Sequence, residues 1–441
     1  MVGTVRTFAA AAVLALSAFS VHAQGDVQTV EYDDGGIYVG TFLDGERHGT
    51  GKYTLPNGYE YEGEWANGVA EGQGRARFVT GAVYEGDFAN GEPNGIGRIT
   101  YSDGSTFEGT WVDGNSEGEG TATFANGAVY VGEWSDNERN GVGRLEAPSG
   151  FVYEGEWLDG MQHGQGTATF PDGTVYVGSF AEGQYEGQGQ LTQSDGGVYE
   201  GAFRDGQRNG KGSQVYADGS VYVGDFISDE RFGQGEFTGV DGTRFSGDWA
   251  VGKINGFGTA TYPDGSVYEG QFLDRRPSGP GTMTYPDGST FKGLWIDGMI
   301  DGKGTLTYSN GAVYEGLFDN SQLSGEGKMT YPDGSTYEGE WYEGERYGRG
   351  ILTFPNGETY EGNFVAGFLQ GRGTFTVPGT FTYEGSFRAG QITGSGKMTF
   401  ENGDVYEGEF ENGVRQGEGT FTAADGTVVS GVWENGELAS N

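Results

Sequence analysis

The chain has 441 residues, no cysteine, 89 glycines and a formal net charge of −39. The absence of thiols excludes a disulfide framework, a thiolate metal site and a cysteine nucleophile. A charge of this sign excludes a nucleic-acid partner, which needs basic patches to release counterions, and opposes unaided attachment to anionic lipid.

In chain order, residues 1–23 read as a secretory signal peptide. Arg6 gives a positive start, residues 8–19 are Ala, Val, Leu and Phe broken only by Ser17, and Val21-His22-Ala23 is a small-residue cleavage site before Gln24. The expected localisation is therefore exported, periplasmic or secreted. No later segment is apolar enough to span a bilayer as a helix.

Residues 24–37 read as an N-terminal half-repeat cap, because Thr29 to Gly35 resembles a second strand and its turn alone. From Tyr38 a 23-residue unit takes over, and residues 38–428 hold seventeen repeats. Tyr or Phe opens each one, glycine follows two residues later, and Trp or Phe four residues later. All eight tryptophans fall in that last column. Residues 429–441 form a partial repeat and C-terminal cap, opening at Val429.

The repeat from Tyr153 shows the local logic. Val152, Glu154 and Glu156 alternate with Tyr153, Gly155 and Trp157, which is the period of a strand. Gly164 to Phe170 alternates again, and Pro171-Asp172-Gly173 predicts a type I turn with a G1 bulge. The six residues between are expected to form a loop, and the Gly164-x-Gly166 pair either a bare patch or a bulge. Glycine between two aromatics predicts a ring from the adjoining strand lying on exposed backbone. The fold class is therefore all-β: an elongated single-layer antiparallel β-meander solenoid of 23-residue hairpin repeats.

Tyr-Glu-Gly-Glu-Trp followed by Gly-x-Gly-x-x-x-Phe/Tyr at this period resembles the membrane occupation and recognition nexus (MORN) repeat. The resemblance covers about Thr29 to Glu437 and implies an antiparallel β array serving as a scaffold for proteins. For some members it also implies attachment to membranes through phospholipids. Other members join the repeats to a lipid-kinase domain, for which this chain has no room.

Catalytic constellations are missing from the sequence. After the leader only His48 and His163 remain, five repeats apart, so no Ser-His-Asp relay is expected. The recurring Gly-x-Gly lacks the lysine or helix of a phosphate cradle. The reading is a non-enzymatic exported scaffold for an envelope protein, with no cofactor and at most weak calcium at its acidic rim. The alternative is a membrane-lipid or glycan binding module, calcium-assisted. Its candidate aromatic face is Trp65, Trp111, Trp134, Trp157, Trp249, Trp295 and Trp341. A candidate docking rim comes from one loop column, Arg47, Arg139, Arg208, Arg231, Arg346 and Arg415, for which pairing with adjacent acids is the plainer expectation. The usual loop glycine is missing at Asn137, Asp229, Arg275 and Ser321, and Gly379 stands one step early. These departures are expected to be tolerated variation, with a hinge or partner site as the other reading.

Overall fold

Each repeat is one hairpin whose geometry follows from its glycines. In the repeat from Tyr153, strand Val152–Leu158 runs into Asp159-Gly160 and returns as strand Met161–Thr169. Asp159 at φ 47° and Gly160 at φ 76° are both left-handed, as a two-residue type I′ turn demands. The expected six-residue loop is therefore replaced by a two-residue turn, and the second strand starts three residues before Gly164. A bulge makes this work. Gly155 lies opposite Gly166, but Glu156 lies opposite His163, so Gly164 and Gln165 have no counterpart on the Val152–Leu158 strand. Gly164 takes φ 56° there, which is the job of the first glycine in Gly-x-Gly.

The connection to the next hairpin is the expected turn. The Gly173 amide donates to the Phe170 carbonyl at 3.0 Å, and the Phe170 amide donates to the Thr174 carbonyl at 2.8 Å. Gly173 sits at φ 91°, and the Asp172 carboxylate accepts the Thr174 amide at 2.9 Å.

The computed structural model describes residues 25–439, so the predicted signal peptide lies outside the described residues. These residues form thirty-seven strands, from Gln28–Glu31 to Glu437–Leu438, and no helix. They divide into two compact units, one ending at Ser194 and one beginning at Asp195. Within each, the strands follow one another as antiparallel neighbours, in the same register from hairpin to hairpin.

In each unit the core is an aromatic spine on one face of the sheet. Tyr38, Tyr61, Tyr130, Tyr153, Tyr268 and Tyr406 are fully buried. The ring that covers the glycines comes from the same strand, not from the adjoining one as the sequence suggested. Tyr153 lies along its own strand, over Gly155 and across to Gly166, and its hydroxyl donates to the Glu156 carbonyl at 2.9 Å. A Cβ on Gly166 would sit 2.5 Å from that hydroxyl oxygen, so both strands need glycine there. Reaching along the strand lets one ring mask two bare backbones at once. Burying such a ring is worth about 4–6 kcal/mol of transfer free energy as an upper bound.

The rings meet edge to face, not as a flat stack. Tyr153 contacts Trp157 of its own repeat at 5.0 Å and 87°, and Phe180 of the next at 5.0 Å and 86°. Tyr130 does the same with Trp134 and Trp157. Each tyrosine thus joins two repeats, in the orientation favoured by the ring quadrupoles. The Trp157 indole N–H donates to the Gly143 carbonyl of the preceding repeat at 3.1 Å.

Candidate functional site

The aromatic column that the sequence offered as a binding face is interior. Trp65, Trp111, Trp134, Trp157, Trp249, Trp295 and Trp341 are all buried, none more than 9 % exposed. Their faces are taken by the neighbouring tyrosines and, in some repeats, by an arginine. No ring face of these tryptophans is left to stack on a sugar or enter a bilayer, so they do not form the candidate binding face. The indole N–H groups of Trp134 and Trp295 are buried without a hydrogen-bond partner.

The arginine column does something the sequence did not suggest. Arg47 lies over the Trp65 ring at 4.3 Å, Arg139 over Trp157 at 4.2 Å, Arg231 over Trp249 at 4.4 Å and Arg415 over Trp433 at 4.4 Å. Arg346 lies 5.4 Å from the Phe364 ring. The same guanidinium groups donate to turn carbonyls of the next repeat: Arg47 to Gly68 at 2.6 Å, Arg231 to Gly252 at 2.6 Å, Arg346 to Gly367 at 2.7 Å and Arg415 to Gly436 at 2.6 Å, with Arg139 bonded likewise to Gly160. Arg208 alone in the column pairs with an acid, Asp229 at 3.0 Å. Burial holds the Arg139 guanidinium below its usual range. These side chains therefore clamp one hairpin to the next and roof the spine. A loop column read as an edge is, in space, a lid.

The opposite face of the sheet is open and polar. Glu154 pairs with Arg144 at 3.0 Å and Glu85 with Arg75 at 2.9 Å, on exposed side chains. Such pairs add little to stability but space the acidic ladder with cations. The second acid of Tyr-Glu-Gly-Glu-Trp has a separate task. Glu156 accepts the bulge amide of Gln165 at 2.8 Å, Asp87 that of Ile96 at 2.9 Å and Glu340 that of Arg349 at 3.0 Å. The turn carboxylates are likewise engaged: hydrogen bonds from Thr174 hold the Asp172 carboxyl below its ordinary range. Among the described residues no group of three or more His, Asp or Glu side chains is arranged to hold a metal.

Exposed apolar residues such as Ile96 and Val142 stand singly on this open face, but one stretch gathers several. Leu294 and Leu317 stand in the column of the bulge-capping acid, and Phe257 and Pro280 in the column opposite. Phe257, Glu269, Pro280, Lys292, Leu294 and Lys303 line one shallow depression, with Phe257 55 % and Leu294 44 % exposed. Lys292 replaces the usual glutamate, and the two repeats at 268–313 carry four basic residues against five acids, in a chain of net charge −39. The signal was present in the columns, as residues out of type at fixed positions.

A family model for the MORN repeat matches seventeen consecutive stretches, from 38–58 through 153–175 to 406–428. A search of curated proteins finds no match. Among solved structures, the TCP domain of SAS-4 (dCPAP) from Drosophila melanogaster, in complex with a proline-rich motif of Ana2, is 15% identical, with 46% of this chain and 85% of that one covered and a TM-score of 0.14. The wild-type TCP10 domain of Danio rerio CPAP is also 15% identical, with 59% and 96% covered and a TM-score of 0.14. A catalytically inactive virginiamycin B lyase from Staphylococcus aureus is 12% identical, with 75% and 92% covered and a TM-score of 0.11. Superpositions this poor carry no argument about function. The argument rests on the repeats, whose matches span the array from Tyr38 to Val428: this chain belongs to the MORN repeat family.

Proposed function

We propose that this chain is a non-catalytic, exported scaffold that holds a partner protein of the cell envelope on its open sheet face. The observation that carries the reading is the division of labour between the faces. Tyrosine, tryptophan, glycine and the arginine column are consumed in joining hairpins, which leaves the polar face free to vary. Contact centres on the stretch where that face turns apolar and nearly neutral, around Phe257, Pro280, Leu294 and Leu317 with Lys292 and Lys303. Exposed apolar side chains ringed by polar ones are the signature of an interaction site. The acidic remainder of the face favours partners with basic rims and steers their approach.

Capture from the native envelope fraction, with wild type beside a Phe257→Ser/Leu294→Glu double variant, tests the proposal. A protein retained by the wild type and lost by the variant supports it. Identical sets bound by both, or no partner alongside turnover of a substrate, overturns it.

A further inference from the structure

Interior repeats, those flanking Gly379 excepted, are built from a seven-residue strand and then a nine-residue strand. The first described strand, Gln28–Glu31, has four residues and corresponds in register to the end of such a nine-residue strand. Val30 lies opposite Tyr38 and Thr29 opposite Val39, just as Ala168 lies opposite Tyr176 and Thr167 opposite Val177. Among the described residues, no seven-residue strand precedes it. The last hairpin shows the converse. Val428–Glu434 is a seven-residue strand, but the strand after it is only Glu437–Leu438, opposite Trp433 and Glu434. The Ala439 amide adds one bond to the Val432 carbonyl at 2.8 Å. Residues 428–431 therefore meet no following strand among the described residues.

The backbone groups agree with this. The Tyr32 amide donates to the Gly36 carbonyl at 2.8 Å, so the alternation of the ladder turns the groups of Glu31 and Thr29 outward. The Ala423 amide donates to the Thr427 carbonyl at 2.8 Å, which turns those of Val428 and Ser430 to the open side. The interior register pairs Val152 with Thr169 and Glu154 with Thr167. Carried across two ends, it sets Val428 opposite Glu31 and Ser430 opposite Thr29, outward donors facing outward acceptors.

The side chains agree as well. Gln28 takes the place that Gly166 holds under the Tyr153 ring, where no side chain fits. Val429 takes the place of the tyrosine itself and is 38 % exposed, against full burial of Tyr153. A glutamine is admissible opposite the one repeat that has no ring to accommodate. Val428 beside it is 61 % exposed.

We propose that copies of this chain join end to end, the Val428–Glu434 strand of one taking up the Gln28–Glu31 strand of the next and restoring a 23-residue repeat across the junction. Strand addition of this kind draws its affinity from main-chain bonds. Because the joined surfaces differ, the contact is heterologous and propagates into a linear assembly. Four paired residues make each junction weak. Glu31, Glu434 and Glu437 bring like charge to it, so salt strengthens it.

Sedimentation of the purified protein over a concentration series, at low and high salt, tests this. The weight-average mass is expected to climb past that of a dimer, and further at high salt. Thr29→Pro and Ser430→Pro each remove an outward amide that has no partner among the described residues, and each is expected to be monomeric with an unchanged circular dichroism spectrum. An equimolar mixture of the two retains one intact end of each kind and is expected to stop at a 1:1 dimer. Thr29→Asp and Ser430→Asp, which keep the amide and add charge, are expected to repeat the pattern. A monomer at every concentration, variants that associate like wild type, or a mixture that stays monomeric would overturn the proposal.

Discussion

Two glycines of one repeat separate two reasons for being glycine. Gly173 takes φ 91° with open space where a Cβ would stand, whereas Gly166 has an ordinary φ and a tyrosine ring on top of it. Gly173→Ala is expected to cost about 1 kcal/mol, the strain of a left-handed L-residue. Gly166→Ala must displace a buried ring and is expected to cost roughly 1–3 kcal/mol. Urea unfolding of the two variants checks the order, and equal losses would contradict the packing account. Arg275 offers the opposite test. Asn137, Asp229 and Ser321 occupy the same turn position at φ 66°, 70° and 68°, and each side chain accepts an amide of the preceding repeat: Ser116, Arg208 and Ile300. Arg275 stands at φ 72° with a side chain that has no acceptor to offer the Ile254 amide. Arg275→Asn is therefore expected to stabilise the protein by about 0.5–1.5 kcal/mol, read from the urea midpoint at unchanged slope.

At the scale of the hairpin, the sequence announced the fold because every repeat restates it. The Tyr-x-Gly-x-Trp alternation identified the first strand, and Pro171-Asp172-Gly173 identified the turn down to its bulge. What stayed hidden was the other turn. Asp159-Gly160 reads as a plain loop because the bulge at Gly164-Gln165 breaks the alternation that would have extended the strand to Met161. Gly379, one step early, is explained by a different turn: with Pro378 before it, φ 69° at Gly379 and the Thr380 amide on the Val377 carbonyl, it takes the type II form. The site was less legible than the fold. Columns show which residues share a position, but not that Arg139 reaches forward over Trp157 of the next hairpin. Nor do they show that a large ring in a one-sheet protein ends up buried. The strict register has its own consequence. Removing residues 153–175 leaves Val152 followed by Tyr176, so the hairpins on either side meet in the register they already use. That variant is expected to keep its strand circular dichroism and cooperative unfolding. Removing residues 164–175 takes from the Val152–Leu158 strand most of its hairpin partner and puts the following hairpin out of register, and is expected to lose both.

For the molecule as a whole, protons and salt act on two separate populations of side chain. Burial pushes the hydroxyl of Tyr130 up to about 12, and those of Tyr199, Tyr222, Tyr268, Tyr314 and Tyr360 to about the same value. Unfolded, these groups ionise near 10, so above that pH the unfolded chain binds fewer protons than the folded one. Stability from this source is complete below pH 10 and drains away as pH rises from about 10 through about 12. Alkaline titration followed by tyrosinate absorbance and circular dichroism is expected to show ionisation and loss of strand together; ionisation of the buried rings with the sheet intact would contradict it. The acids behave differently because they are exposed. Successive repeats bring carboxylates such as Glu62, Glu85 and Glu108 along one face, and a net charge of −39 repels itself in the compact state more than in the expanded one. Screening shortens the reach of that repulsion from about 30 Å at 0.01 M salt to about 3 Å at 1 M. The exposed pairs Arg75–Glu85 and Arg144–Glu154 are weakened by the same salt, but each contributes at most about 1 kcal/mol. Repulsion summed over the acidic excess outweighs the few pairs. The thermal midpoint at neutral pH is therefore expected to rise by a few degrees as sodium chloride is added. A midpoint that falls with salt would mean that the ion pairs, and not the surplus of acids, set the electrostatic balance.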